Sequence, residues 1–374
     1  MTIEIKEVTS KSDLKKFINF QYDLYRMNVN WVPGLKSDEW TTLDKSKNPA
    51  FEFCDAKYWI ALSNNKIVGR IAGIINHRYN EKWNKKACRF GWFDFIEDPD
   101  VHEKLLDTAE NWGKEQGMDE MHGPLGFTDM DGEGMLVEGY EETGTLGALY
   151  NFPYYVNFME TTKYKKDADW LEYQIDLHDE IPEKIGRISD IAIKRNNLRL
   201  FIADKPKELL PFAKDIFHLI NFAYKDLYGF VELSERQIDQ YVKQYFGFIK
   251  PDFVPVVFDK HNKLIAFGIT MPSLSKAFQK CKGSLFPFGF IHVLRAIKKN
   301  DSADLYLTAV HPDYQDKGVN AIIINHINKT FHKHKIRWVE TNPELEMNEK
   351  VRSQWRFYDA RQHKRRRCYK KILN

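Results

Sequence analysis

A chain of 374 residues is long for one domain and sufficient for two, and a formal net charge of +3 supplies no field strong enough to call for a specific nucleic-acid partner. The four cysteines, Cys54, Cys88, Cys281 and Cys368, form no C-x-x-C pair, which argues against a disulfide framework and a structural zinc site and fits a reducing, cytoplasmic setting. No apolar run reaches the ~20 residues that span a bilayer; the first residues carry no secretion signal, and an aromatic share of 14% favours large apolar pockets.

In chain order, residues 3–8 read as a strand, and Ser10 caps a helix reaching about residue 27, with Leu14, Phe17, Ile18 and Tyr22 on one face. Residues 57–62 and 66–75 flank Ser63-Asn64-Asn65 as a hairpin. A strand over 89–96 and a helix over 101–116, closed by Gly117, complete the order β-α-β-β-β-α. That order then repeats: a strand at 198–202, a helix at 212–224, a strand pair around Asp259-Lys260-His261-Asn262, a strand ending at Val310, and a helix over 321–334. These elements predict an α/β chain with an internal duplication, in which mixed central sheets are flanked by helices. The division falls at 1–165 and 166–374, with the join near 163–169.

The segment between the last strand and helix of the second copy is the most informative. It runs Val310-His311-Pro312-Asp313-Tyr314-Gln315-Asp316-Lys317-Gly318-Val319-Asn320-Ala321. A helix N-terminus offers unpaired N–H groups and the positive end of the macrodipole, so a phosphate is stabilised there; Gly318 permits close backbone approach. At the corresponding place the first copy carries Glu97-Asp98-Pro99-Asp100, where Asp98 or Asp100 caps the helix and repels a pyrophosphate.

The second-copy loop resembles motif A of the GNAT superfamily, the Gcn5-related N-acyltransferases, whose pattern is V-x-P-x-x-(Q/R)-x-x-G-x-(G/A). Val310, Pro312, Gln315 and Gly318 match in order and spacing, and Asn320 replaces the usual small residue. The resemblance implies two tandem GNAT (acyl-CoA N-acyltransferase) domains, the first degenerate and the second holding coenzyme A. It implies acetyl-CoA or acyl-CoA as co-substrate, an amine acceptor, and coenzyme contacts from Gln315, Asp316, Lys317, Gly318, Val319, Asn320 and Ala321. Backbone N–H groups near Ala309 and Val310 become the oxyanion donors. Family motif B places an Asn seven residues before a Tyr that protonates the leaving thiolate; from Asn348 that position is Trp355, and Tyr358 lies one turn further along a helix expected over 349–360. For the general base the reading names Glu340, ahead of Glu344 and Glu346, with a pKa raised in an aromatic pocket.

Three further stretches bear on the acceptor. Residues 123–134 are glycine-rich and acidic; position twelve from Asp129 is Tyr140, which excludes a calcium loop and leaves Asp129, Asp131 and Glu133 to line a cleft and attract a cationic amine. Residues 285–299 are apolar first and basic last, which suits either buried packing or an interfacial segment peripheral to the inner membrane surface. The arrangement, with ETNPELEMN and HKRRRCYKK, also resembles a bacterial GNAT-like group linked to sphingolipid N-acylation, implying a long-chain lipid amine as an alternative acceptor. The basic run 361–371 is expected as a last strand with some Arg facing the coenzyme's phosphate or solvent; it also supports a different class, an anion-binding module. A non-catalytic scaffold is the remaining alternative.

Overall fold

A computed structural model describes residues 2–177 and 183–373. Among the described residues, fourteen strands form one mixed sheet: β1 (Ile3–Glu7), β2 (Cys54–Ser63), β3 (Lys66–Asn76), β4 (Ala87–Phe95), β5 (Glu120–Gly123), β6 (Met135–Glu138), β7 (Lys165–Asp176), β8 (Arg199–Phe201), β9 (Val256–Phe258), β10 (Leu264–Pro272), β11 (Ser302–Val310), β12 (Trp338–Thr341), β13 (Glu344–Leu345) and β14 (Asp359–Ile372). The order is β1-β2-β3-β4-β5-β14-β7-β12-β11-β10-β9-β8, with β13 on β7 and β6 on β14.

The duplication is visible in the pairing. In the first half β1 to β4 are antiparallel neighbours and β4 pairs β5 in parallel; in the second, β8 to β11 and the parallel pair β11 and β12 repeat this. Position 165 is where β7 begins. That strand runs to β12 of the second half, while β14, at the end of the chain, pairs both β5 and β7. The first half's parallel pair is thus flanked by β14 from the second half's sequence, and the sheet is continuous across the join.

Local chemistry accounts for most elements. Ser10 caps the helix Lys11–Leu24 by accepting the Asp13 N–H, and Leu14, Phe17 and Ile18 are buried, each worth about 1.5–3 kcal/mol by transfer. Asn64 and Asn65, at φ of 49° and 61°, make the tight turn between β2 and β3. The helix Val319–His334 buries Ile322, Ile323, Ile327 and Phe331 against Ile265 and Val339.

Two expectations fail, both through β14. The helix expected over 349–360 is one turn, Glu349–Arg352, followed by a 3-10 turn, Ser353–Phe357; Tyr358 is already extended, at φ −125° and ψ 162°. Pairing of Asp359 with Asp176 in β7 begins immediately after and outcompetes helix continuation. The basic run is that same strand. Each of its cations meets carboxylate: Arg361 with Glu142 (2.6 Å), Arg365 with Asp169 (2.9 Å) and Glu346 (2.7 Å), Arg367 with Asp169 (2.8 Å), Lys370 with Asp167 (2.7 Å), Lys371 with Glu110 (2.6 Å), Arg366 with Glu172, and Lys364 with Glu340. The tail is therefore neutralised inside the sheet, which removes its support for an anion-binding module or a contact to a coenzyme phosphate.

Candidate functional site

The site is built on a split in the sheet. Strands β11 and β12 are in register only from Ser302 and Trp338 to Leu305 and Thr341. The Asn342 N–H then donates to the Leu305 carbonyl (3.0 Å), the Asn342 amide side chain donates to the Tyr306 carbonyl (3.0 Å), and β12 ends. Strand β11 continues to Val310 with that edge open. On its other edge Phe267 faces Ala309, and the His311 N–H donates to the Ile265 carbonyl (2.7 Å). Antiparallel alternation commits Ala309 to β10 and turns the amides of Thr308 and Val310 to the open side. The Tyr224 hydroxyl, which donates to the Thr308 carbonyl at 2.7 Å, confirms that direction. The Ala309 amide is therefore committed to β10, and the amides free on the open edge are those of Thr308 and Val310.

This edge borders a cavity of about 670 Å³, within the range usual for small-molecule sites. Its walls come from both halves. Leu35 and Leu146 of the first half line it with Phe217, Tyr241, Leu274 and Phe278 of the second, so the lining is largely apolar and aromatic. Of the expected coenzyme and acid residues, Asn320, Asn348 and Tyr358 reach this wall. Asn348 caps the short helix after it by accepting the Val351 N–H. Tyr358 accepts from the Asn328 side chain (2.9 Å), and burial raises its pKa, so the phenol stays protonated and able to donate.

The remaining loop residues lie beside the cavity. Val310 and Val319 are core. Gln315 donates to the Val310 carbonyl (3.3 Å), and Lys317 stands over the Tyr314 ring. Asp316, at φ +58°, pairs with Lys350 (3.1 Å), tying the loop to the one-turn helix. Gly318, at φ +78°, precedes Val319 at the helix start; a Cβ there would sit 3.1 Å from Ile188. Ala321 is half-buried in the first turn.

The structure reverses the electrostatics expected of Glu340. Burial pushes its pKa up, but Lys364 and His363 outweigh this and hold it at about 2. Lys364 also bonds Glu172 (3.5 Å), and His363 Nε2 lies 3.0 Å from Glu340. The side chain opens onto a different groove, with Trp338 and Ser302. Of the three glutamates named for the base, Glu344 is the one on the cavity wall. Burial raises its pKa to about 7 against the opposing Trp355 indole, whose N–H donates to both carboxylate oxygens at 3.0 Å. Glu346 is held low by Lys166 and Arg365.

A second group of carboxylates lines the same cavity. Burial raises Asp129 to about 7 and Asp131 to about 6, Glu133 goes up with Asp129 beside it, and Glu39 rises by burial while accepting from Trp92 (2.7 Å). Asp131 also accepts the Phe127 and Thr128 amides (2.8 and 3.1 Å), which folds the loop. The glycine-rich acidic segment thus stands where the sequence suggested, in a cleft between halves. Glu39, on the helix Lys36–Leu43, carries no signal in the sequence that it faces that loop.

The architecture has the fold of tandem GNAT proteins. The tandem GNAT protein from the clavulanic acid biosynthesis pathway (without AcCoA) aligns over 100% of this chain and 99% of its own, at a TM-score of 0.57 and 11% identity. A GCN5-related N-acetyltransferase from Sphaerobacter thermophilus aligns over 100% and 96%, at 0.52 and 8%. By sequence the chain is 27% identical over 376 residues to Protein YghO of Escherichia coli (strain K12), covering 99% of this chain and 95% of that protein. It is 23% identical over 323 residues to the bacterial ceramide synthase of Caulobacter vibrioides (strain NA1000 / CB15N), covering 84% and 82%. No protein-family model matches the chain.

Proposed function

We propose that the protein transfers an acyl group from a coenzyme A thioester to the nitrogen of a long-chain amine. The observation that carries this is the open edge of β11, bordering a single cavity that holds Glu344 and Tyr358 on one stretch of wall and a cluster of carboxylates on another. The loop 315–321 and the helix start behind it suit a pyrophosphate, and Asn320 and Asn348 stand where the rest of the coenzyme enters. An ammonium drawn to Asp129, Asp131, Glu133 and Glu39 lets those carboxylates ionise, so its arrival releases protons from them. Glu344 takes the proton that frees the nitrogen lone pair. The Thr308 and Val310 amides point to where the thioester oxygen gains charge as the new C–N bond forms. Tyr358 returns a proton to the sulfur as the C–S bond breaks.

The aromatic and aliphatic lining supports a long chain on the acceptor, and similarity to a protein called a bacterial ceramide synthase supports the same class. The test is thiol release from acyl-CoA with a long-chain primary amine. Glu344→Gln lowers kcat by about 10²–10⁴-fold, and Tyr358→Phe by about 10²-fold with coenzyme affinity retained. The wild-type kcat/KM rises with pH through about 7, because the base acts only when deprotonated and Glu344 loses its proton there. Unchanged turnover in both variants overturns the assignment.

A further inference from the structure

The second half carries an insertion that the first lacks. Residues 77–86 connect β3 to β4, whereas residues 273–301 connect β10 to β11 and contain two helices, Ser275–Cys281 and Gly289–Lys298. One side of this insertion is anchored. Leu274, Ala277, Phe278, Cys281 and Val293 pack on Val32 and Leu35, Gln279 donates to the Val29 carbonyl (2.7 Å), and the Lys36 N–H donates to the Gly283 carbonyl (3.0 Å). The other side is bare: Phe286 is 78% exposed, Phe288 71%, Leu294 60% and Phe290 39%, with the Phe286 and Phe290 rings 6.0 Å apart.

Charge completes the pattern. Residues 273–299 contain Lys276, Lys280, Lys282, Arg295, Lys298 and Lys299 and no Asp or Glu. Five of those cations, with His292, line a groove of about 970 Å³ beneath the exposed helix. The groove's carboxylates, Glu142 and Glu340, are already engaged by Arg361 and Lys364, so its free charge is positive. No described helix is long and apolar enough to cross a membrane. An exposed aromatic face edged by lysine and arginine matches the boundary between acyl chains and anionic headgroups.

We infer that the insertion 273–301 docks the protein on an anionic lipid bilayer, with Phe286, Phe288, Phe290 and Leu294 entering the interface and the basic groove receiving headgroup phosphates. Leu274 and Phe278 of the same insertion line the internal cavity, so docking sets an amphiphile's route from bilayer to site. This goes beyond the acyl-transfer reading and does not depend on it.

The experiment is sedimentation with phosphatidylcholine vesicles, with and without phosphatidylglycerol. Phosphatidylglycerol strengthens binding at least about tenfold, since each basic residue near the surface contributes on the order of 1 kcal/mol, and raised salt weakens it. Phe286→Ser with Phe288→Ser abolishes binding without lowering the melting temperature, and Lys298→Glu with Lys299→Glu removes the anionic preference. Turnover of a short, water-soluble amine is unaffected by any of these, which separates failure of docking from failure of the transferase reading. Absence of wild-type binding to anionic vesicles overturns the inference. So does a dimer in gel filtration that the Phe→Ser pair converts to monomer, because the face then belongs to a second copy.

Discussion

The two halves build the same split between parallel strands and leave it in opposite states. In the first, β4 and β5 pair only from Ala87 and Glu120 to Arg89 and His122, so β4 too has a free edge. The Ile96 amide donates to Val68 (2.9 Å) as His311 donates to Ile265 (2.7 Å), which makes Phe95 the counterpart of Val310. There the first half is sealed. The Phe95 N–H donates to the Tyr155 hydroxyl (2.9 Å), Tyr154 donates to the Phe95 carbonyl (2.6 Å), and the rings of Phe93, Phe95 and Tyr155 fill the opening. At the following helix Asp98 accepts the Asp100 N–H (2.9 Å), using a group that an anion would need. In the second half that helix starts at a glycine, no side chain caps it, and the strand edge faces a cavity. In the first half the protein's own side chains thus make hydrogen bonds that the second half leaves open.

That contrast makes quantitative predictions. The largest concerns the buried ion pair that takes Glu340 out of consideration as a base. Lys364→Met leaves Glu340 without its buried cation and weakens Glu172's set, and costs about 3–5 kcal/mol in denaturant unfolding; the same network gives the pH dependence a defined sign. Glu340 has a folded pKa of about 2, below its unfolded value, so its stabilisation is fully present above the unfolded pKa and is lost as pH falls toward 2. A small cost and no loss between these limits would return Glu340 to the list of bases.

A smaller effect tests the seal. Tyr155→Phe removes the acceptor of the Phe95 amide and a partner of the buried Tyr25 hydroxyl (2.9 Å), and costs about 1–3 kcal/mol. Acyl transfer per folded molecule stays unchanged. A variant that loses activity instead would mean that the first half takes part in the chemistry.

Much of this contrast is legible in the sequence, because it rests on local chemistry. Asp98 and Gly318 announce their roles within a few residues, and Asn64 and Asn65 mark a hairpin. For the apolar side of 285–299 the sequence allows both core and interface, since periodicity shows that a face exists and only packing shows what covers it. What sequence hides is distant pairing. Strand β14 finds β5 and β7 more than 180 residues upstream, and Trp355 and Tyr358 at near-helical spacing give no sign of it. Choosing Glu344 over Glu340 depends on the same event, because Lys364, which neutralises Glu340, arrives on that strand. The tyrosine seal was invisible for a similar reason: Tyr154 and Tyr155 return to β4 across about 60 residues.

The comparison stands or falls on stoichiometry. Calorimetric titration with coenzyme A, on the wild type and on Gly318→Glu, measures it directly. One site per chain, lost in the variant as a carboxylate and side chain enter the helix start, is the expected result. Two equivalent sites, or a single site that survives Gly318→Glu, would contradict the claim that only the second half is open.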